Sequence, residues 1–484
     1  MDSMTFVLFG ATGDLAKRKI YPALFNLYLN QKLPKSFSVI GVGRDDSSDG
    51  EFQSRVIDSL HTFSRHLLSD KSKKEEFVKP FRYYHLDVTD TKGYNKLLEL
   101  VQQNEKKQNM EENRMFYLSM APEFFDVIAM NIKDSGLGST NGWKRLIIEK
   151  PFGHDLKSAQ ELNEKLSKAF EEDEIYRIDH YLGKPMVQNL EALTFVNPVL
   201  QSLWNNRYIA NVQITASEMV GVEGRAGYYD NAGAIRDMVQ NHMLQLLMMT
   251  AMHLPKRIST NDIRNEKRKV MESLRPLQRD TIGVHVVRGQ YEQGEINGEP
   301  VRAYREEPGV EASSQNDTFV AARLWIDNSF WDGVPFYIRT GKRMAEKATK
   351  IVIEFKNQLK DFAHSEMDQV EPNLITININ PNEGVSLQLN SKNPINGKME
   401  PITVDFSASK QDVPEAYELL LFDALVGGST FFAHWNEVEL SWNWVEPILA
   451  AFKENRAPLH SYSSGSMGPE AAHQLLEKDG YKWW

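Results

Sequence analysis

Thr5-Phe6-Val7-Leu8-Phe9-Gly10-Ala11-Thr12-Gly13-Asp14-Leu15-Ala16 carries a short apolar run into two glycines three residues apart. Behind it Leu24, Leu27 and Tyr28 continue an apolar stripe at helical spacing, so the order is strand, glycine turn, helix. Such a turn lets backbone N–H groups and the positive end of a helix approach a pyrophosphate. Ala16 stands where the last small residue of G-x-G-x-x-G would be, which makes this a variant of that pattern. On spacing alone a simple tight turn fits as well.

The next strand, 37–42, ends in Gly43-Arg44-Asp45. Where a NAD-specific fold sets an acid against the ribose hydroxyl, this chain offers Arg44, which suits a 2′-phosphate. NADP is therefore expected, with NAD left open by Asp45 and Asp46; a solvated turn arginine is the plainer alternative. His85-Leu86-Asp87-Val88-Thr89 reads as the end of a third strand entering a helix capped by Thr89 or Asp90. Residues 115–122 read as another strand. Arg145-Leu146-Ile147-Ile148-Glu149-Lys150-Pro151 is a buried-type strand that stops on a lysine, at the edge where open α/β sheets bind ligands. The charge-rich segments 71–79 and 102–113 read as solvated helix faces and loops.

Arg177-Ile178-Asp179-His180-Tyr181-Leu182-Gly183-Lys184 packs an acid, an imidazole, a phenol and an ammonium ahead of Pro185. If a helix starts here, His180 and Lys184 share a face that can grip a phosphoryl group, with Tyr181 adding a donor. Asp179 then points elsewhere; a polar loop is the alternative. Beyond Pro185 the βαβ rhythm fades. Val212, Ile214 and Ala216 alternate with Gln213, Thr215 and Ser217, a strand with one wet face. Further strands at 318–326, 335–339, 350–355, 374–379 and 385–390 suggest a largely antiparallel sheet in an α+β domain. A bare face on so large a sheet would pair two copies. The most helical run, 234–254, carries Asp237, His242 and His253, and by pattern alone His242 fits a packed core histidine. Residues 415–426 read as a helix ended by Gly427-Gly428.

With 484 residues, 41% hydrophobic and 25% charged, the chain is globular in composition and too long for one core. A net charge of -10 argues against a nucleic-acid surface, so an anionic substrate needs a local basic pocket. The absence of cysteine excludes a disulfide framework, thiol catalysis and thiolate zinc sites. The first expected strand begins within a few residues of Met1, leaving no room for a signal peptide. The stretch 243–254 is interrupted by Gln245, Thr250 and His253 and is too short to span a bilayer. A cytoplasmic enzyme without membrane or nucleic-acid partners is expected.

Four blocks carry a resemblance: Gly10 to Lys19, Glu149-Lys150-Pro151-Phe152-Gly153, the Arg177 to Lys184 stretch, and Asp237-Met238-Val239-Gln240-Asn241-His242. They stand in the order found in glucose-6-phosphate dehydrogenases, and the chain resembles that family from its first strand to its tail ending in Trp484. The resemblance implies a Rossmann-like NADP-binding domain over 1–177 and a substrate-binding and dimerisation α+β domain over 178–484. It implies oxidation of glucose 6-phosphate in the pentose phosphate pathway, without a metal, by a homodimer, with a homotetramer left open. His242 is then the general base and Asp179 the acid that orients it. His180, Tyr181 and Lys184 hold the phosphate, Glu218 and Asp237 accept from sugar hydroxyls, and Lys342 and Lys347 reach the ring. Gly10, Thr12, Gly13, Asp14, Leu15, Arg44, Asp87 and Val88 hold the dinucleotide. Lys150 serves both ligands, and a cis Lys150–Pro151 bond is expected. The tail carries Met467 where the family commonly has tryptophan. A dehydrogenase of an unphosphorylated sugar or cyclitol, or a sensor without turnover, remain rival readings; the His180, Tyr181 and Lys184 cluster speaks against the first, and His242 with Asp179 against the second.

Overall fold

β1 (Met4–Phe9) is buried along its whole length, as a central strand of a parallel sheet must be when helices cover both faces. It is flanked by β2 (Phe37–Gly43) and by β4 (Arg114–Leu118), with β3 (Phe81–His85) outside β2 and β5 (Lys144–Glu149) and β6 (Ile175–Ile178) outside β4. All of these pairings are parallel, in the order β3-β2-β1-β4-β5-β6. That is the doubly wound dinucleotide-binding order, whose crevice opens where the strand order reverses beside β1. The structure, a computed structural model, describes residues 2–65, 71–255, 257–357, 370–406 and 413–484. It divides into two compact units, Met1–Lys184 with Pro414–Glu439, and Pro185–Val413 with Leu440–Trp484.

The crossovers of the first unit begin with local signals. Ser48 and Glu51 form a reciprocal capping box ahead of helix Asp49–Phe63, and Asp90, not Thr89, caps Thr91–Gln108. The helix Ala416–Val426 returns to this unit late in the chain and ends at Gly427, whose φ of 81° is left-handed. Its Leu420, Leu421, Ala424 and Leu425 share one core with Phe6, Leu8, Tyr117, Ile147 and Ile178. Arg145 caps it from β5 by donating to Ala424 O (2.7 Å) and Leu425 O (2.8 Å).

The solvated reading of the charge-rich segments 71–79 and 102–113 fails in part, and Lys74 is buried in the first of them. Glu105, within the segment read as solvated, is buried, because Arg114 at the start of β4 is buried opposite it. The guanidinium donates to both carboxylate oxygens (2.9 and 2.8 Å) and to Leu137 O (2.9 Å).

The second unit is built on nine strands in the order β16-β15-β14-β13-β7-β12-β11-β8-β17. They are β7 (Ile209–Ser217), β8 (Val286–Glu292), β11 (Phe319–Trp325), β12 (Pro335–Gly341), β13 (Ala348–Phe355), β14 (Leu374–Asn380), β15 (Gly384–Lys392), β16 (Met399–Phe406) and β17 (Leu459–Ser463). β9 (Gly294–Ile296) and β10 (Glu299–Val301) form a small separate hairpin. The large sheet is antiparallel except where β12 pairs with β7 and β17 with β8.

The polar face of β7 is not wet. Gln213, Thr215 and Ser217 are all buried, because the end of the chain lies over them. Gln213 donates to Lys482 O (2.8 Å) and accepts from Trp484 N (3.0 Å), and Trp484 Nε1 donates to Glu354 (2.9 Å). Trp483 stacks its ring on the Arg339 guanidinium at 4.3 Å, while Arg339 donates to Thr215 Oγ1 (3.1 Å). Burial pulls Arg339 down to about 10. Asp479 takes two bonds of 2.7 Å from Arg323 and one from the Tyr337 hydroxyl. Among the described residues no helix is long and apolar enough to cross a membrane, and no group of three or more His, Asp and Glu side chains could hold a metal ion.

Arg114→Met strands the Glu105 carboxylate in the core. It should lower the stability of the first unit by about 3–5 kcal/mol, read as an earlier urea midpoint, and the double change with Glu105→Leu should recover most of that loss.

Candidate active site

The turn after β1 is held from two sides. Gly10 N and Ala11 N donate to Val42 O of β2 (3.0 and 3.1 Å), and Gly13 N closes back on Gly10 O (3.0 Å). Gly10 has a φ of 80°, and a Cβ there would lie 2.1 Å from Ser119 O, just beyond β4. Only glycine satisfies both constraints. Tyr21 fixes the turn from below through a 2.5 Å bond to Ala11 O. Thr12, Gly13 and Leu15 stay partly exposed and Asp14 is exposed, paired with Arg18 at 2.7 Å. The chain then winds through a π-helical segment, Ala16–Ile20, into helix Tyr21–Leu29.

Beyond β2, Arg44 is exposed and the next acid is already engaged: Asp45 pairs with Arg55 at 3.1 Å. Asp87 sits beyond β3. Its carboxyl accepts from Thr89 N (3.0 Å) and Thr89 Oγ1 (2.8 Å), and these bonds, helped by the Arg44 charge, hold it below the usual carboxylate range. Val88 O accepts from Tyr94 (3.0 Å) and Asn131 (3.2 Å), which fixes that corner. A glycine cradle, a helix start and an exposed arginine fit a dinucleotide. Lys150 stands at the end of β5, and its bond to Pro151 is cis.

Asp179 follows β6 and is 2% exposed. No helix begins there. Asp179 accepts from Tyr181 N (2.9 Å) and the backbone closes with Leu182 N to Asp179 O (3.0 Å) and Lys184 N to Tyr181 O (3.1 Å). Gly183 packs so close to Ala416 O that a Cβ would come within 2.7 Å, and Pro185 keeps Lys184 out of the helical region. The turn brings the His180 and Lys184 side chains to the Tyr181 ring. The Lys184 ammonium lies 4.0 Å from the Tyr181 ring centre, and the His180 ring is 5.0 Å from it. Cation, imidazole and phenol thus converge within the first unit.

In the second unit the parallel pairing does the gathering. Ser217 of β7 lies opposite Gly341 of β12, so the next residues, Glu218 and Lys342, leave the sheet side by side. Their side chains meet at 2.6 Å. Tyr462 anchors Lys342 by donating to its carbonyl (2.7 Å), and the ammonium lies 5.0 Å from the Tyr229 ring. Lys347 is exposed on the same β12–β13 connection.

Asp237 and His242 sit on Ile235–Met243, a π-helix that follows a break at Gly233 (φ 66°, ψ 174°). Five residues apart, they match the i→i+5 repeat and approach one face, whereas an α-helix would set them about 140° apart. Both are buried, His242 at 1% exposed. Arg225 reaches Asp237 at 3.8 Å. Burial, with the Asp237 charge second, pushes the Tyr228 hydroxyl up to about 12. Sequence reading missed Arg225, Tyr228 and Tyr229, which no spacing announces, and Glu149, whose signal was a carboxylate ending an apolar strand beside Lys150.

The first unit is a dinucleotide-binding fold with a cationic turn, and the second carries a buried histidine and paired acids and lysines: together the parts of a nicotinamide-dinucleotide oxidoreductase. The family model described as glucose-6-phosphate dehydrogenase, NAD binding domain, matches residues 7–189, and that of the C-terminal domain of the same family matches 191–484. The glucose-6-phosphate 1-dehydrogenase of Bacillus subtilis is 49% identical over 99% of this chain and 97% of its own, and that of Leuconostoc mesenteroides 42% over 98% and 97%. A solved glucose-6-phosphate dehydrogenase in complex with its substrate glucose-6-phosphate superposes with a TM-score of 0.92 at 34% identity, over 100% of this chain and 99% of that one. The chain belongs to the glucose-6-phosphate dehydrogenase family.

Gly10→Ala adds about 1–2 kcal/mol of backbone strain before the clash with Ser119 is counted. It should weaken dinucleotide binding at least about tenfold, read by titrating the fluorescence of the reduced dinucleotide, with the far-ultraviolet dichroism of the fold retained.

Proposed function

We propose that this chain carries out the reaction of its family with His242 as general base, Asp179 as the acid that orients it and NADP as the preferred oxidant. The reaction is the oxidation of glucose 6-phosphate to 6-phosphoglucono-1,5-lactone, the first oxidative step of the pentose phosphate pathway. The full-length likeness to a substrate-bound member of the family carries the substrate assignment. Bound in the first unit, the dinucleotide supplies the hydride acceptor. His242 takes the proton from the anomeric hydroxyl, for which a neutral imidazole with an ordinary pKa of ~6.5 is suited near neutral pH. Asp179 fixes the imidazole tautomer and stabilises the imidazolium that forms.

The phosphate goes to Lys184, His180 and Tyr181, a locally basic turn in a chain of net charge -10. Glu218 and Asp237 accept from sugar hydroxyls, and Lys342, held by Glu218, donates to the ring with Lys347 beside it. Lys150 serves sugar and dinucleotide together. The preference for NADP is supported by Arg44 and by the pairing of Asp45 with Arg55, which occupies one of the two acids that could take a ribose hydroxyl, Asp46 being the other.

We further propose a cytoplasmic homodimer that buries the outer end of the large sheet. Val385, Leu387 and Leu389 of β15 pair with Phe406, Val404 and Ile402 of β16, which makes an apolar ladder on one face. Phe406 is 59% exposed. A cavity of about 690 Å³ lined by Val199, Leu203, Leu389 and Met399 continues it. Exposed apolar surface at a sheet edge is what association covers.

Absorbance at the nicotinamide band, followed with NADP and then NAD, should rise with glucose 6-phosphate and not with glucose. His242→Asn should lower kcat by about two to four orders of magnitude with sugar-phosphate binding kept; near-normal turnover would remove His242 from its role. Phe406→Asp should shift the sedimentation coefficient from dimer to monomer, and an unchanged dimer would place the interface elsewhere.

A further inference from the structure

At the carboxyl end of β5 a carboxyl and two phenols meet. Glu149, the residue before Lys150, accepts at Oε1 from Tyr117 Oη (2.5 Å) and from Tyr417 Oη (3.1 Å). Tyr117 belongs to β4, and Tyr417 to the first turn of the returning helix Ala416–Val426. That turn is pinned in place: Lys19 pairs with Glu415 at 3.1 Å, and Arg65 and Asn26 bond Glu418 at 2.8 and 2.9 Å. The β5–β6 register sets Glu149 opposite Ile178, the residue before Asp179. The carboxyl therefore has Lys150 next to it along the chain and Asp179 next to it across the ladder.

Tyr117, Tyr417, Lys150 and Asp179 are the charged and titratable groups that face Glu149 from the elements around it. Burial pushes its carboxyl up to about 7; the two phenolic bonds and the Lys150 charge oppose the rise and Asp179 adds to it. Both phenols keep their protons, since burial and then the Glu149 charge hold them well above the usual tyrosine range. A glutamine would accept the same two bonds with no charge to desolvate. What the carboxyl adds over a glutamine is its charge, and the charges within its reach are those of Lys150 and Asp179.

We propose that Glu149, clamped by Tyr117 and Tyr417, is a positioning residue that sets Lys150 and Asp179 for the reaction without touching substrate. This rests on the roles given above to Lys150 and Asp179. Ionised, Glu149 draws the Lys150 ammonium toward the strand end; protonated, it no longer repels Asp179. The kinetic pH profile should then contain an ionisation that belongs to Glu149.

The experiment compares wild type with Glu149→Gln in kcat, KM and pH profile. The variant should keep its fold, judged by far-ultraviolet dichroism, and lose roughly ten- to a hundredfold in kcat, with sugar-phosphate and dinucleotide binding weakened to a smaller degree through Lys150. Wild type should show, beside the ionisation of His242, a second one near neutral pH, and the variant should lack that second one. A wild type without turnover of glucose 6-phosphate would strike the reaction itself. A wild type that turns over, with Glu149→Gln matching it in kcat, KM and pH profile, would strike the positioning role alone. Where Glu149→Gln fails to fold, judged by loss of far-ultraviolet dichroism, Tyr417→Phe decides: one donor fewer to the carboxylate must move the Glu149 ionisation to higher pH, and an unmoved ionisation overturns the proposal.

Discussion

Parallel strand pairing is the constraint on which both half-sites depend. Parallel neighbours start and stop on the same edge, so whatever follows them is delivered to one side of the sheet. In the first unit the glycine turn follows β1, Arg44 follows β2, Asp87 follows β3, Lys150 follows β5 and Asp179 follows β6. The second unit is antiparallel nearly throughout, with β12 on β7 and β17 on β8 as the exceptions. β7 and β12 run parallel there, and Glu218 and Lys342 leave together. Had β12 run the other way, those two residues would stand at opposite ends of a seven-residue strand.

Polar groups follow the same economy of placement. Asp45 is spent on Arg55, while Arg44 and Asp46 stay exposed beyond β2. Lys342 is fixed at both ends, its carbonyl by Tyr462 and its ammonium by Glu218, so its side chain keeps little rotamer freedom. The net charge of -10 does not reach these places as a uniform field. Local pairs set the potential where a ligand sits, and screening confines the remainder to about a Debye length.

How much of this was legible in the sequence follows from how local each signal is. The first strand, its glycine turn and the strand ending at Lys150 are written in consecutive residues, and the structure has them there. The helix ended by Gly427 was legible for the same reason. The turn at Asp179 was not: an eight-residue polar segment before proline reads equally as a helix start, and what decides is a side chain bonding back to Tyr181 N. β7 looked wet on one face because the residues that cover it, Lys482 to Trp484, lie at the far end of the chain. Glu105 looked solvated because its partner Arg114 is nine residues away with a helix end between them. The clustering of Tyr417 with Glu149 spans more than half the chain, and no local pattern encodes it.

The return of residues 414–439 to the first unit also sets a schedule for synthesis. A core that includes Leu420, Leu421 and Phe432 stays open while residues 185–413 emerge from the ribosome. At about 5–20 residues per second that delay is on the order of 10–50 s, during which the apolar face of a parallel sheet awaits its last helix. The nucleotide-binding half, first to be made, is thus among the last to be finished, and nascent chains of this architecture offer chaperones a defined client surface for a defined time.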